Sequence, residues 1–313
     1  MGAFLHAVAV FFHHLAEVRW TALGLALLCH VIKLLFRARA WQNILRASYP
    51  GTKLRYRSTF GAYVAGVGVN SIAPARGGDL VKLYLIKHRA EEVKYPTLAA
   101  TLAVETILDF FVAGALMLWA LSIGVLPTHQ VYSRIPTVDW KFFLRHERMT
   151  GFALIALGIA GVVVFFWARR RVEDFWERVR LGFAILDDRR AFGLGVLVPQ
   201  AISWVFRIAT LYFFLEAFGV HASIHNALLA QVVDSLATLF PATPGGAGTK
   251  QGLIVYLFRK SAISRTLLLA FSVGMNIAMT IANLVMGLAA IGLMAKTLSF
   301  KRLRSSARAE QPA

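Results

Sequence analysis

Two stretches of this sequence run the thickness of a bilayer without a charge. Residues 149–168, MTGFALIALGIAGVVVFFWA, hold no Asp, Glu, Lys or Arg, and neither do residues 266–295, TLLLAFSVGMNIAMTIANLVMGLAAIGLMA. Roughly 20 apolar residues in a helix cross the hydrocarbon core. In lipid the backbone must satisfy its own polar groups, so a span is a helix or a strand of a closed barrel. Runs this long are helical. They predict an all-α integral membrane protein, a polytopic helical bundle. Composition agrees: 58% of residues are hydrophobic and mean hydropathy is +0.61, against roughly 45–50% apolar in soluble domains. Further crossings are expected at 20–36, 96–125 and 191–218. Residues 1–300 then form one membrane domain, and 301–313 a polar cytoplasmic tail. The end of that tail, SSARAEQPA, lacks the apolar residues that would order it.

The formal charge is +18. A balance this basic can mark nucleic-acid binding, but here the cations flank the spans. Residues 37–57 carry Arg37, Arg39, Arg46, Lys53, Arg55 and Arg57 with no acid, and 169–190 hold seven arginines beside five acids. Positive loops stay on the cytoplasmic side and meet anionic headgroups there. The reading is therefore a multi-pass plasma-membrane protein with no nucleic-acid partner. Loops 37–57 and 169–190 and the tail are inside. The N-terminus is outside, and so is loop 126–148, despite its four basic residues. The start, MGAFLHAVAVFFHHLAEVRW, lacks the basic n-region of a signal peptide, so 3–15 is read as an interfacial amphipathic segment. Trp20, Trp41, Trp140 and Trp167 near span ends read as an interfacial belt. Cys29, the single cysteine, excludes an intrachain disulfide.

Two apolar regions break this pattern. NSIAPARGGDLVK at 70–82 and LFPATPGGAGTK at 239–250 place prolines and glycines inside stretches 58–89 and 223–260. Each stretch is too long for one span, and its arms are short for crossings. The expectation is two re-entrant helical hairpins. The first has cytoplasmic flanks and the second outer flanks, so they are opposed. PARGGDLVKLY and PATPGGAGTKQ also align, with Pro-Ala, Gly-Gly and a following Lys. An inverted repeat is expected, its halves near 58–125 and 223–295, as in transporters that bind at the midplane. Thin full crossings are the alternative.

A break at membrane depth frees backbone groups that only protein or a wet cavity can satisfy. The candidate binding residues of the first turn are Asn70, Pro74, Arg76, Gly77, Gly78, Asp79 and Lys82. Those of the second are Pro241, Pro244, Gly245, Gly246, Gly248 and Lys250. Gly77 and Gly78 permit close approach of backbone to ligand. The helix N-termini after the breaks offer N–H donors, and Arg76 a fork suited to phosphate. The bland counterpart is an Arg76–Asp79 pair that locks the turn. On the crossings, Glu105 and Asp109 share a helix face. Arg76, Lys82 or Arg207 is the expected partner, for charge neutralisation or for proton exchange. Asp234 lies on a polar face with Gln231, Ser235 and Thr238. Asn276 and Asn283 lie with Thr280 on the last crossing, where asparagines also serve simply to join helices. There is no GxSxG, P-loop, Rossmann fingerprint or HExxH. No catalytic residue, cofactor or metal is expected.

The two Pro-Gly motifs, taken in order, carry a resemblance. NSIAPARGGDLVKLYLI, a later Glu and PATPGGAGTKQGLIVYLF resemble the flippase-like membrane domain of the lysylphosphatidylglycerol synthase family, as does RARAWQNIL. The resemblance covers about 20–295. It implies movement of a lipid or lipid-linked headgroup between leaflets, without the family's cytosolic aminoacyl-transferase domain. The family often has an acid where Gln251 stands and a basic residue near Asn276 and Asn283. Those departures put a charge-coupled mechanism in doubt. The function expected is a non-enzymatic lipid translocase, its ligand an anionic phospholipid or a lipid-linked phosphate. The alternative is a membrane lipid-binding partner of a lipid- or glycolipid-modifying enzyme. A homo-oligomer is compatible with either and leaves no mark in the sequence.

Overall fold

The computed structural model describes residues 17–73, 77–90, 92–123, 177, 179–239, 248–260 and 263–309. The described residues are helical between short connections, with no strand among them. Four helices are long and apolar enough to cross a membrane: α1 (Trp20–Ser48), α4 (Tyr95–Ser122), α5 (Arg189–Ala217) and the Arg265–Met294 part of α8 (Arg265–Ala309). Four shorter helices form two pairs: α2 (Tyr56–Asn70) with α3 (Gly77–Arg89), and α6 (Ile224–Leu239) with α7 (Thr249–Leu257). The chain is thus an all-α, multi-pass membrane bundle. The crossing expected at 149–168, the amphipathic segment at 3–15, loop 126–148, Trp140 and Trp167 lie outside the described residues.

Three expectations change. The first helix does not stop at residue 36 with a loop to 57, but runs on to Ser48. No Pro interrupts it before Pro50, and Trp41, Ile44 and Leu45 in the added turns are fully buried. Trp41 is therefore a core residue, not part of a belt. Its Nε1–H donates to Thr101 Oγ1 at 3.1 Å, whereas Trp20 is exposed as a belt residue should be. At the other end α8 continues to Ala309, so most of the tail is helical. Residues 296–309 contain neither Pro nor Gly, and Lys, Arg and Ala favour helix.

Helix α5 solves a proline problem. Pro199 lacks an N–H, and its ring would press on the carbonyl of Gly195 four residues back. A π-helical turn at Gly193–Leu197 widens the helix there. The freed Gly195 carbonyl accepts Asn43 Nδ2–H at 2.7 Å. At the opposite end, Arg19 N–H donates to Ala217 O at 2.9 Å. Helices α1 and α5 are therefore antiparallel and in contact from end to end.

Each short pair is an antiparallel hairpin. In the first, Gly78 N–H donates to Asn70 Oδ1 at 2.7 Å, and Gly66 faces Lys82. Helix α2 runs back along α1, where Tyr56 Oη–H donates to Leu35 O and Arg37 reaches Tyr63. Helix α6 runs back along α5, where Arg207 meets Gln231 and Asp234. Because α1 and α5 are antiparallel, the two helix pairs that follow them start at opposite ends of the bundle. Each end has its own apolar core. One joins the first half of α1 to α5, α6, α7 and the start of α8. The other joins the second half of α1 to α2, α3 and the far part of α8.

The glycines of the first hairpin serve packing. A Cβ on Gly78 would overlap the Gly66 carbonyl oxygen, and one on Gly68 would lie 2.8 Å from Gly287 Cα of α8. Small residues of this kind let membrane helices touch backbone to backbone. Gly78→Ala is expected to destabilise by about 1–3 kcal/mol, as overpacking does. The check is its thermal midpoint in detergent. A midpoint equal to that of wild type would mean the arms separate freely.

Candidate functional site: a polar cavity between the hairpins

Between the two apolar cores lies a cavity of about 380 Å³. Side chains from both hairpins and from all four long helices line it. Among the described residues five cations face it, Lys33, Arg37, Lys82, Arg207 and Lys250, together with four carboxylates, Asp79, Glu105, Asp109 and Asp234. A lone charge near the bilayer centre costs roughly 2.5–3.5 kcal/mol even on the lenient insertion scale. Pairing offsets that cost here.

The pairs divide by half of the chain. Helix α1 carries Arg37 into the cavity. Its Nη2 lies 2.5 Å from both Glu105 Oε1 and Asp109 Oδ2 on α4. Glu105 also accepts Tyr63 Oη–H at 2.6 Å. The Tyr63 ring in turn faces Lys82 Nζ at 4.2 Å, and Lys82 pairs with Asp79 at 3.0 Å. In the other half, Asp234 on α6 accepts from Arg207 at 2.8 Å and from Lys250 at 2.5 Å. Arg207 Nε–H donates to Gln231 Oε1 as well, at 2.8 Å. Arg37 and Arg207 both sit just past the midpoint of the first long helix of their halves.

The last long helix supplies neutral groups. Asn276, Thr280 and Asn283 all line the cavity. Thr280 Oγ1–H donates to Asn276 Oδ1 at 3.3 Å, and Asn283 Oδ1 lies 2.7 Å from His30 Nε2 on α1. His30 is buried, and its Nδ1 has no partner among the described residues.

The cavity gathers most of the described residues that the sequence singles out. Asn70, Asp79, Lys82, Glu105, Asp109, Arg207, Asp234, Lys250, Asn276 and Asn283 all line it. Pro74, Arg76, Pro241, Pro244, Gly245 and Gly246 lie outside the described residues, so the proposed Arg76–Asp79 lock does too. Gly77, Gly78 and Gly248 do not line the cavity. Two backbone donors expected to face a ligand are occupied inside the protein. Gly78 N–H serves Asn70, and Gly248 N–H serves Gln251 Oε1 at 2.6 Å. Gln251 thus caps α7.

The expected partner of Glu105 and Asp109 is corrected. It is Arg37, not Lys82 or Arg207, because α1 continues past residue 36 and passes beside α4. Arg207 is taken by Asp234. Sequence reasoning also missed His30, Lys33 and Tyr63. The signal for the α1 residues was present in LLCHVIKLLFRAR. His30, Lys33 and Arg37 fall at three- and four-residue intervals, a polar stripe on one helix face.

Comparison with known proteins agrees with this architecture. The model of the lysylphosphatidylglycerol synthase TM region matches residues 3–287. Two UPF0104 membrane proteins of Methanothermobacter thermautotrophicus are similar. One is 23% identical over 78% of this chain and 78% of its own length, the other 25% identical over 86% and 82%. Glycosyltransferase AglD of Haloferax volcanii is 26% identical over 71% of this chain, which spans 40% of that protein. No solved structure matches. With nearly its whole length matched, the chain belongs to the family of the lysylphosphatidylglycerol synthase transmembrane region.

Proposed function

We propose that the protein moves a lipid headgroup between leaflets, through the cavity between its two hairpins. The observation that carries this reading is the set of charged side chains, drawn from both hairpins, around one cavity in an otherwise apolar bundle. Charges held at membrane depth mark substrate or ion paths. The cavity has room for a phosphate-bearing headgroup and not for acyl chains. The outward faces of α4 and α8 carry Phe110, Phe111, Leu118, Ile281, Val285 and Leu288, all exposed. The tails then stay in lipid, and only the headgroup takes the polar path. Hairpins that enter from opposite ends fit the inverted-repeat reading. In that reading each hairpin is re-entrant, and the cavity opens to one leaflet at a time. The ligand is an anionic phospholipid or a lipid-linked phosphate. The membrane is the plasma membrane, with the C-terminus inside. Chemistry is no part of this role.

The test is a leaflet-reporting assay in liposomes with labelled anionic, zwitterionic and polyprenyl-phosphate lipids. Wild type is expected to move at least one of them. Arg76→Ala, at the first turn, and Lys82→Met, whose cation pairs with Asp79, are expected to slow movement by about tenfold or more, as loss of a charged hydrogen bond does. No movement by folded wild type would end the translocase reading. It would favour the second reading, a lipid-binding partner of a modifying enzyme. The likeness to part of a protein named as a glycosyltransferase points that way.

A further inference from the structure

One face of α5 turns inward along its length. Arg207, Thr210, Leu211 and Phe214 of that face line the cavity. Ser203 and Gln200 continue it at helical spacing toward the start of α5, and both are buried. Gln200 is 4% exposed, yet neither its Nε2 nor its Oε1 has a hydrogen-bond partner among the described residues. By helical rise it stands about 10 Å from Arg207. Trp204 lies between the two. Its ring packs on the Arg207 guanidinium at 4.7 Å, and its Nε1–H faces Asp109 without reaching hydrogen-bond geometry. Beyond Gln200 the face becomes apolar, where Val196 packs with Ala40 and Ile44 of α1, Val104 of α4, and Ile185. A buried amide with both ends unpartnered costs stability, and folded proteins keep few such groups without a reason. Two plain reasons fail here. The Pro199 break does not use the amide, because the freed Gly195 carbonyl is taken by Asn43. Nor does the amide join helices, since it bonds to no described neighbour. What remains is a partner that comes and goes.

We propose that Gln200 is a hydrogen-bonding station for the moving headgroup, on a leg of its path that runs from the cavity toward the start of α5 and is closed in this structure by the apolar cluster around Val196. This rests on the translocase reading and adds a leg to its route. The amide suits the task. Its N–H donates to a phosphate oxygen, and its carbonyl accepts from a hydroxyl or an ammonium. It therefore serves a headgroup in passing without gripping it as an ion pair does. Trp204 and Arg207 stand where this leg meets the cavity.

The experiment sets stability against rate in the full chain. Gln200→Met keeps the length of the side chain and removes the amide. Its thermal midpoint is read in a neutral detergent, and its rate in liposomes with the labelled anionic, zwitterionic and polyprenyl-phosphate lipids. The midpoint is expected to rise above that of wild type, because an unpartnered amide is gone. The rate is expected to fall by about tenfold or more, the size of a hydrogen bond to a charged group. Opposite signs are what a merely structural residue would not give. A lowered midpoint would show that the amide is satisfied in the resting protein, and would overturn the assignment. A wild-type rate in Gln200→Met would overturn it as well. A second measurement needs no lipid movement. In a Cys29→Ala background, Gln200→Cys is treated in liposomes with a membrane-impermeant maleimide. Labelling is expected from the side where α5 begins, and not from the other. No labelling from either side would show that the leg never opens, and would end the proposal. The two readings fail separately. Lipid moved by wild type and equally fast by Gln200→Met sinks this inference alone. No lipid moved by folded wild type sinks the translocase reading, and this inference with it.

Discussion

Arg37→Met unfolds the protein about 3–5 kcal/mol more easily than wild type, the expected result of removing one member of a buried ion cluster. The arginine is the cation shared by Glu105 and Asp109, and it lies on the face of α1 that packs on α2 and α4. Without it the carboxylates of Glu105 and Asp109 face each other with their shared cation gone. The argument also ranks the partners. Glu105 is the more deeply buried and accepts from both Arg37 and Tyr63, while the Asp109 side chain is 26% exposed. Glu105→Gln is thus expected to cost more than Asp109→Asn. The combined change of Arg37→Met, Glu105→Gln and Asp109→Asn should recover much of the single-variant loss, because the uncompensated charge is gone. Unfolding in mixed micelles reads all of these. An Arg37→Met protein as stable as wild type would mean the cluster is solvated and the cavity open to bulk water.

That cluster also separates what the sequence reveals from what it hides. The crossings were legible because lipid imposes uncharged runs of fixed length, and α4, α5 and α8 lie where those runs put them. The two pairs of short helices were legible because Pro and Gly cannot continue a helix, and α2 and α6 end before those residues. Glu105, Asp109, Asp234 and Lys250 were legible as cavity residues because a charge at membrane depth needs a polar place to be. Arg37 was not. The positive-inside rule reads an arginine after an apolar run as the start of a cytoplasmic loop. That rule counts charges without asking whether the helix continues and whether a carboxylate waits beside it. Pairings were hidden for a related reason. Which arginine meets which acid depends on helix rotation and neighbour order, and no spacing within one helix records either. The packing role of Gly78 was hidden too, since a close-approach glycine looks the same whether it faces a ligand or another backbone.

Asp234→Asn should give the second large effect, and it bears on function more directly. Asp234 holds two cations, Arg207 on one carboxylate oxygen and Lys250 on the other. The amide keeps the shape and removes the charge. Arg207 retains Gln231, but Lys250 loses its carboxylate, and one negative charge leaves the cavity. Without ligand the variant should lose about 3 kcal/mol or more, as breaking a buried pair does. Anionic lipid should restore more stability to it than to wild type, because a ligand stabilises in proportion to the logarithm of its occupancy ratio. Transport should nevertheless fall. Under the proposed translocase role, a phosphate reaching Arg207 and Lys250 would displace Asp234, and the returning carboxylate would then displace the phosphate. Such an exchange would keep the empty cavity neutralised and the loaded one reversible. With the amide there is no competitor, so binding tightens and release slows. Three measurements decide this: the midpoint without lipid, its rise with phosphatidylglycerol, and the rate in liposomes. Weaker lipid stabilisation than wild type would show that the Asp234 cluster lies off the headgroup path. Tighter binding with an unchanged rate would show that release from this cluster does not limit transport.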